Sequence, residues 1–331
     1  HPPLTAVTRP DGMVPMAVAS DFAFEDRTMI PDWSLHWVRS VHNLWRYTGD
    51  RDLIADLLPV AERTLRWFEP YRNAWDALVR QKQCFTRPAP DDQLHDPLAT
   101  VDGAGWLGGS IAGRRVLCLA AGGGRQSVLY AAAGAEVTVV DISPEQLALD
   151  RVAAAERGLT VRTVEASMDD LAALAAQSFD LVIHPVSTCY VPDVRPVFAE
   201  VARVTVAGGL YISQHKTPQS LQAEQRPGPR GYELSQPYYR NGPLPAVTGS
   251  RLREEGTLEF LHRWEEIVGG ICRAGFTIED LLEPLHAQPD AAPGEFGHRA
   301  AYLAPYVRIK ARRATSGASS TGAGSRVWLP S

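Results

Sequence analysis

The chain has 331 residues, a net charge of -5 at pH 7 and four cysteines that form no Cys-x-x-Cys pair. The acidic balance gives no broad basic field for nucleic acid, and the spacing of the cysteines predicts neither a disulfide framework nor a zinc site. No apolar run approaches the roughly 20 residues that span a bilayer. We therefore expect a cytoplasmic protein that acts on a small molecule, with no metal, nucleic acid or membrane as partner.

The length allows one large domain with an added segment. The first part, residues 1–71, is rich in tryptophan and has the period of a helix. Its apolar residues recur at three- and four-residue steps, which places them on one helical face: Leu53, Ile54, Leu57, Leu58, Ala61, Leu65 and Phe68. This part is predicted to be a separate helical segment.

From Arg114 to about Arg313, predicted strands and helices alternate, which is typical of a largely parallel sheet with helices on both faces. The first strand, residues 115–120, is a short apolar run that leads into three glycines. The helix after the glycines closes on Gly134. The second strand, residues 136–141, precedes a helix that begins with Ser143 as N-cap and a proline at its first position.

The second half of the alternating region predicts the remaining elements of the sheet. A third strand covers 160–166, a helix 169–177, a fourth strand 179–185, a helix 194–206 and a fifth strand 208–215. Two more strands are predicted within 275–284 and 300–313, and the latter is the candidate for an antiparallel strand. The tail, residues 314–331, is small and polar and is predicted to be disordered.

The loop after the first strand reads "VLCLAAGGG" from Val116 to Gly124. Glycines just after a buried strand let a ligand approach the backbone closely, and the next helix offers unpaired N–H groups there. The run "GGGRQS" is a degenerate dinucleotide fingerprint in which Ser127 replaces the last glycine. No Gly-Lys-Ser/Thr follows, which argues against a triphosphate. A dinucleotide and a sulfonium nucleoside both remain candidate ligands.

Residues 73–313 resemble the class I S-adenosylmethionine-dependent methyltransferases, whose loop reads like "VLDLGCGxG". The resemblance implies an α/β, Rossmann-like sheet of about seven strands and S-adenosyl-L-methionine as the cofactor. It implies cofactor contacts at Ala120, Gly122, Gly123 and Gly124. Two positions depart from the family: Cys118 occurs where an acidic residue is common, and Ala120 replaces the first glycine. The lost carboxylate puts a contact with the methionine amino group in doubt.

The same resemblance implies where the nucleoside binds. Asp141 would accept hydrogen bonds from both ribose hydroxyls, a task that suits an acceptor-only carboxylate; the alternative is a cap for the helix at Ser143. Ile142 and Met168 would lie against adenine, and Asp169 would accept from its exocyclic amine. The alternative for Asp169 is an ordinary helix cap.

The chemistry is expected beyond the carboxyl ends of the strands. His184 ends the fourth strand there and His215 ends the fifth, so both are catalytic candidates, and His184 is also a candidate for cofactor contact. The alternative for His184 is a histidine that is hydrogen-bonded inside the strand–loop junction. The sequence "HPVS" at this point differs from the Asp/Asn-Pro-Pro-Tyr motif of enzymes that methylate nucleic-acid bases.

A long insertion, residues 216–260, follows the fifth strand, and a loop of this length is usually functional or mobile. The resemblance implies that this insertion forms the substrate lid. The candidate substrate contacts are Tyr190, Tyr238, Tyr239, Arg240 and His262. The alternative for Tyr190 is packing, and the alternative for the other four is a solvated loop and helix surface.

A second resemblance concerns the N-terminal segment. The stretch "IPDWSLHWVRSVHNLWRYTGD" and the residues after it are similar to a piece of the helical toroid of α-L-rhamnosidase-like glycosidases. The part of that family that bears its catalytic acids is absent, so Glu25 and Asp32 receive no catalytic role. The domain division is therefore 1–71, a glycosidase-like fragment, and 72–313, a methyltransferase domain.

The sequence as a whole predicts methyl transfer from S-adenosylmethionine to O, N or C of a small molecule. Placement of the acceptor in line with the methyl group can supply most of the acceleration, without a metal. Two alternatives remain: a nicotinamide-dependent oxidoreductase, and a non-catalytic module that binds a nucleoside through the same fold.

Overall fold

The computed structural model of the chain describes residues 87–247, 250 and 253–315, together with helical positions at 52, 55, 57–59, 75–77 and 79–80. Most of the segment 1–71, with its glycosidase-like stretch, lies outside the described residues. The predicted tail lies outside them from residue 316 onward.

Seven strands form one sheet, in the order β3-β2-β1-β4-β5-β7-β6. The strands β1 to β5 are parallel, and β7 is antiparallel to both β5 and β6. The predicted α/β sheet is thereby confirmed, including the antiparallel last strand. The strands are β1 (Arg115–Leu119), β2 (Glu136–Asp141), β3 (Val161–Glu165), β4 (Phe179–His184), β5 (Thr205–Lys216), β6 (Phe276–Leu282) and β7 (Tyr306–Arg313).

Seven α-helices have named bounds in the described part of the chain: α1 (Pro97–Val101), α2 (Gln126–Ala132), α3 (Pro144–Ala155), α4 (Arg195–Val204), α5 (Pro218–Gln222), α6 (Trp264–Arg273) and α7 (Phe296–Ala300). As predicted, Ser143 caps α3 by accepting a hydrogen bond from the backbone of Gln146, and Pro144 occupies its first turn. Gly134, just after α2, has a φ of +90°, which glycine adopts without strain.

Helices cover both faces of the sheet, which explains why the central strands are continuously apolar. On one face α4 and α6 pack against the sheet through residues such as Val201 and Ile271. On the other face Leu147 of α3 and Tyr130 of α2 pack on β1 and β2. The carboxyl ends of β1, β2, β4 and β5 therefore meet at one open edge, and the glycine loop lies at this edge.

The predicted helix over 169–177 is wrong. The chain forms a series of turns between Ser167 and Ser178 instead. The guanidinium of Arg203 on α4 donates hydrogen bonds to the carbonyl oxygens of Leu171 (2.7 Å) and Leu174 (2.8 Å), and Glu200 accepts from the N–H of Leu171 (2.8 Å). Of these three backbone groups, the carbonyl of Leu171 is the one that the ladder of a helix over 169–177 would use, and the contacts with α4 hold the chain in turns instead.

The segment between β5 and α6 is mostly irregular. It contains the short helix α5 and two isolated bridges, Ala223 with Leu234 and Gly228 with Gly231. The strand β5 begins at Thr205, three residues before its predicted start. Within the part of the chain that the structure describes, no helix is both long enough and apolar enough to cross a membrane.

Candidate active site

The glycine loop begins with a residue in an unusual conformation. Ala120, directly after β1, has a φ of +46°, and Gly123 and Gly124 also have positive φ. A left-handed conformation costs an L-residue roughly 1–2 kcal/mol and costs glycine little. Ala120 therefore retains the backbone path that a glycine would follow, although it is not a glycine.

Two carboxylates bind the backbone of this loop. Asp141 Oδ2 accepts from the N–H of Gly122 (2.9 Å), and Asp150 on α3 accepts from the N–H groups of Gly123 (2.9 Å) and Gly124 (3.0 Å). The hydroxyl of Ser127 also donates to Asp150. In a phosphate-binding loop such N–H groups would point at the phosphate. Because carboxylates occupy them here, a dinucleotide pyrophosphate is not favoured.

Asp150 is fully buried beneath the loop. Burial raises the pKa of its carboxyl group to about 6, against the opposing effect of the hydrogen bonds from Ser127, Gly123 and Gly124. Sequence reasoning missed this residue. The signal was available, because Asp150 lies in the centre of the stripe of α3 that contains Leu147 and Ala154, where a charged residue needs partners.

Asp141 lies at the end of β2, as predicted. Its Oδ1 accepts from the N–H of Ser143 at 2.9 Å, and burial raises its pKa while the hydrogen bonds from Ser143 and Gly122 oppose that rise. The carboxylate thus supports the start of α3 and the loop together. A Cβ on Gly122 would lie 2.6 Å from Cβ of Gln146 and 2.9 Å from Asp141 Oδ2, so only glycine fits beside this carboxylate.

The surroundings of Asp141 suit an adenosine. Ile142, an apolar side chain, is 42% exposed next to it and can cover a base. Gln146 Oε1 is buried and, among the described residues, has no hydrogen-bond partner. A buried acceptor without a partner costs free energy that a ligand donor would recover. An exposed apolar side chain, an acceptor-only carboxylate and an unused amide oxygen therefore fit a nucleoside.

Met168 and Asp169 lie at the start of the turns that follow β3. Met168 is buried, and its sulfur accepts a hydrogen bond from the hydroxyl of Ser187 at 3.7 Å. Asp169 is half-buried at the start of the turns that replace the predicted helix. Because no helix follows Asp169, its alternative interpretation as a helix cap is wrong.

A helical stretch at residues 75–80 contacts the edge of the site at two places. Asp76 accepts from the hydroxyl of Ser143 at 2.5 Å, and Arg80 pairs with Glu145 at 2.8 Å, both at the start of α3. At the other place, Trp75 packs edge-on against Tyr190, with ring centroids 5.0 Å apart. This stretch therefore connects the end of β2 with the loop after β4. Sequence reasoning assigned no role to these residues.

His184 is buried at the end of β4, with both ring nitrogens engaged. Nδ1 lies 2.8 Å from the hydroxyl of Tyr211 and Nε2 lies 2.6 Å from the hydroxyl of Ser187. Burial lowers the pKa of its ring to about 3. The ring is therefore neutral near pH 7, and the geometry favours the alternative of a hydrogen-bonded histidine in the junction over that of a general base.

His215 and His262 are also buried and hydrogen-bonded. His215 lies 2.8 Å from the hydroxyl of Thr188 and 2.8 Å from that of Ser213. Nε2 of His262 lies 2.9 Å from the carbonyl oxygens of Thr188 and Val191, so it must carry a proton. Burial lowers the pKa of both rings. Both histidines thus fix the loop that carries Tyr190.

Tyr190 connects that loop with a buried charge network under the insertion. Its hydroxyl lies 2.5 Å from Oε2 of Glu254, which also binds the ammonium of Lys216 at 2.9 Å. Lys216 binds Glu259 as well, and Glu259 binds Arg253. Burial alone would lower the pKa of Lys216, but the charges of Glu254 and Glu259 raise it, so the ammonium stays charged. Lys216 is 38 residues from Glu254 and 43 residues from Glu259, and no sequence pattern joins them.

The other predicted substrate residues have contacts of a different kind. Tyr239 is 75% exposed and stacks with Arg263 at 5.1 Å, which favours the solvated-surface alternative for this residue. The hydroxyl of Tyr238 accepts from the N–H of Trp264 at 3.2 Å. Arg240 donates to the carbonyl of Pro243 at 2.9 Å. These two side chains fasten the insertion to itself and to α6.

Comparison with known proteins agrees with this architecture. A family model described as "Methyltransferase domain" matches residues 117–213, from β1 into β5. The uncharacterized methyltransferase YbaJ of Bacillus subtilis (strain 168) is 41% identical over 178 residues, which are 52% of this chain and 69% of that protein.

A more distant relative is a ubiquinone biosynthesis O-methyltransferase of Xanthomonas axonopodis pv. citri (strain 306), 38% identical over 109 residues. The chain spans 46% of that protein's length. Among solved structures, an S-adenosylmethionine-dependent methyltransferase from Mesorhizobium loti aligns with a TM-score of 0.51 and 23% identity, over 64% of this chain and 99% of that one. This likeness shows the fold.

Proposed function

Because the chain belongs to the class I S-adenosylmethionine-dependent methyltransferases, we propose that it transfers the methyl group to a small-molecule acceptor that binds beneath the insertion after β5. The observation that carries the proposal is the pair formed by Asp141 and the exposed Ile142 beside a glycine loop whose N–H groups are bound by carboxylates. Neither a dinucleotide nor a triphosphate suits that loop.

In this proposal Asp141 binds the ribose hydroxyls with the lone pairs that Gly122 and Ser143 do not use. Ile142 and Met168 cover the two sides of the adenine, and Asp169 accepts from its amine. Ala120, Gly122, Gly123 and Gly124 let the methionine part approach the backbone. The cofactor, when bound, supplies an activated methyl group on a sulfonium, and the protein's task is placement.

His184 and His215 are positioning residues in this proposal. His184 joins Tyr211 of β5 to Ser187 of the loop after β4, and Ser187 also contacts the sulfur of Met168. The histidine therefore connects the adenine side of the site with the loop that carries Tyr190. His215 performs the same task from β5 through Thr188.

The acceptor is proposed to bind on the other side of Tyr190. The domain division at residue 72 belongs to the same proposal, because Trp75 and Asp76 contact the methyltransferase fold directly. The O-methyltransferase relative makes a hydroxyl oxygen one candidate for the methylated atom, alongside nitrogen and carbon.

The test has two steps. Calorimetry with S-adenosylhomocysteine and with NAD should show binding of the first and none of the second, because a site for NAD would require free loop amides. The protein is then incubated with a methyl-labelled donor and a panel of small molecules that offer a hydroxyl group, an amino group or an acidic carbon. At least one of these acceptors should become labelled. The Asp141→Ala variant is the matched control, and at a donor concentration near the dissociation constant of the wild type it should transfer at least fivefold less label. Binding of NAD in preference to S-adenosylhomocysteine would overturn the proposal.

A further inference from the structure

A cavity of about 210 Å³ lies at the carboxyl edge of the sheet, where β5 ends at Lys216 and β7 begins at Tyr306. The insertion closes it with Leu221, Pro245 and Arg253, and Arg299 of α7 forms another wall. An apolar cavity of about 150 Å³ can hold benzene. This cavity therefore has room for a compact molecule with one ring or a short chain.

A single side chain, that of Glu254, connects the wall of the cavity with the loop after β4. Lys216, in its wall, shares Glu254 with the hydroxyl of Tyr190. Tyr190 in turn packs against Trp75, which belongs to the helical stretch that also binds the start of α3. Tyr190 thus connects the wall of the cavity, through Glu254, with the helical stretch that borders the proposed cofactor side.

The charge around the cavity is unbalanced. Three cations line it: Lys216, Arg253 and Arg299. Two carboxylates lie behind this wall, the half-buried Glu254 and the buried Glu259, and they pair with Lys216 and Arg253. The carboxylate in the wall itself, Glu224, is exposed to solvent and attracts Arg299 only from beyond ion-pair distance. Apart from this exposed carboxylate, the three cations and the two glutamates leave one positive charge in excess.

The surplus charge belongs to Arg299, which is only 2% exposed. Its N–H groups donate to the carbonyls of Ser220, Ala223 and Glu224 and to the hydroxyl of Ser220, at 2.6 to 3.0 Å. In the part of the chain that the structure describes, no carboxylate lies within ion-pair distance of this guanidinium. A buried charge is costly unless an opposite charge compensates it.

We propose that the cavity binds the anionic group of the methyl acceptor, so that the substrate class is a small organic acid. The inference rests on the proposed function for the identity of the ligand as an acceptor. A carboxylate or phosphate in the cavity would compensate the surplus charge and would accept charge-assisted hydrogen bonds. The remaining apolar wall, formed by Leu221, Val247 and Pro305, would pack against the carbon skeleton.

The first test compares probes of equal shape in phosphate-free buffer. Benzoate and benzamide differ in charge and little in size, and both are titrated calorimetrically into the full chain that is saturated with S-adenosylhomocysteine. Benzoate should bind at least tenfold more tightly than benzamide, and added salt should weaken benzoate more. Equal affinity of the two probes overturns the inference. Phenyl phosphate is the third probe, and its affinity relative to benzoate assigns the anion as phosphate or carboxylate.

The second test uses matched variants. Arg253→Gln should weaken benzoate at least fivefold and leave benzamide unchanged. Arg230→Gln removes the same charge from an exposed residue of the same insertion and should change neither. The conservative variant Arg253→Lys should restore most of the affinity for benzoate. If Arg253→Gln binds benzoate as the wild type does, the cavity is not the anion site.

The two proposals fail in different ways. If the chain does not bind S-adenosylhomocysteine at all, the proposed function is wrong, whatever the anions do. If S-adenosylhomocysteine binds but benzoate and benzamide are not distinguished, only the anionic substrate class is wrong.

Discussion

The carboxylate of Asp150 accepts a hydrogen bond from the backbone N–H of Gly124 at 3.0 Å and so ties helix α3 to the loop that precedes α2. Its other oxygen binds the N–H of Gly123. Cys118, which occupies the common acidic position on β1, is close enough that the charge of Asp150 contributes to raising its thiol pKa, after burial. A buried carboxylate is thus present near the glycine loop, but α3 supplies it and β1 does not.

The raised pKa of Asp150 predicts how the free energy of unfolding depends on pH. Its pKa is raised from 3.8 to about 6 by burial, so its contribution to stability is complete below about pH 4 and is lost as the pH rises through 6. Asp150→Asn cannot ionise. The free energy of unfolding of the wild type, minus that of the variant, should fall by about 1–2 kcal/mol as the pH rises from about 5 to about 8. Urea unfolding of both proteins at the two pH values measures this difference.

The control for Asp150 is Asp180→Asn. Arg115 lowers the pKa of Asp180 below its ordinary value, so this group is ionised throughout the same range in both the folded and the unfolded chain. The difference between the wild type and this variant should therefore be constant from pH 5 to 8. A constant difference for Asp150→Asn as well would refute the buried-carboxylate argument.

His184 predicts the opposite trend. Burial lowers its pKa from 6.5 to about 3, so the contribution of the neutral ring is complete above pH 6.5 and is lost as the pH falls toward 3. Between pH 7 and pH 5 the stability of the wild type should fall relative to His184→Gln by roughly 2 kcal/mol. Parallel curves for the two proteins would contradict this. At neutral pH the variant should still bind S-adenosylhomocysteine while its turnover falls.

Asp141→Ala should lower the affinity for S-adenosylhomocysteine at least tenfold. Each lost hydrogen bond to the charged group is worth roughly 1.5–3 kcal/mol, and the variant also releases the N–H of Gly122. Asp141→Asn keeps one acceptor oxygen and should give an intermediate affinity. Calorimetry gives the affinities and a thermal melt verifies folding. Unchanged affinity in Asp141→Ala would show that the nucleoside binds elsewhere.

The domain division can be tested with two deletions. Removal of residues 1–71 should leave a soluble, cooperatively folded chain with unchanged affinity for S-adenosylhomocysteine, because all seven strands of the described sheet remain. Removal of residues 1–80 also deletes Trp75, Asp76 and Arg80 with their contacts to Tyr190, Ser143 and Glu145, and should weaken that affinity. Insolubility of the shorter deletion would mean that the first 71 residues belong to the fold.

Arg203 is predicted to stabilise the adenine side of the site from a distance. Arg203→Met removes its hydrogen bonds to the carbonyls of Leu171 and Leu174 and should cost about 1–3 kcal/mol. Arg195→Met, on the same helix but with a side chain that is 77% exposed, should cost less than about 0.5 kcal/mol. Denaturant unfolding distinguishes the two. Equal small costs would mean that the turns at 167–178 do not need Arg203.

The sheet could be predicted from the sequence because its strands are locally distinct. The runs at 115–120 and 136–141 are apolar and short, and each is followed by a helix start or a glycine turn. The helix predicted at 169–177 has helical spacing in Leu171 and Leu174, but Arg203, about thirty residues later, takes their carbonyls. Periodicity reports which side chains are buried and does not report such long-range competition.

The site could be predicted only in part. Asp141 and the glycines follow from their places after strands, and the structure brings them together with Gln146. The roles of His184 and His215 were predicted from residue type, but in the structure both nitrogens of each ring lie within hydrogen-bond distance of hydroxyl groups, which favours positioning over proton transfer. The network of Lys216, Glu254 and Glu259 depends on how the insertion folds back, and charged residues in a loop give no sign of their partners.

The group of carboxylates around the loop has a consequence for turnover. Besides burial, the charge of Asp76 raises the pKa of Asp141, and the charge of Asp141 raises that of Asp150. S-adenosylmethionine carries a sulfonium charge that disappears when the methyl group leaves, because the product is an uncharged thioether. An anionic environment therefore attracts the donor more strongly than the spent cofactor. If the donor binds beside Asp141 as proposed, the reaction itself weakens the attraction that held the donor, which helps the product leave and a fresh donor replace it.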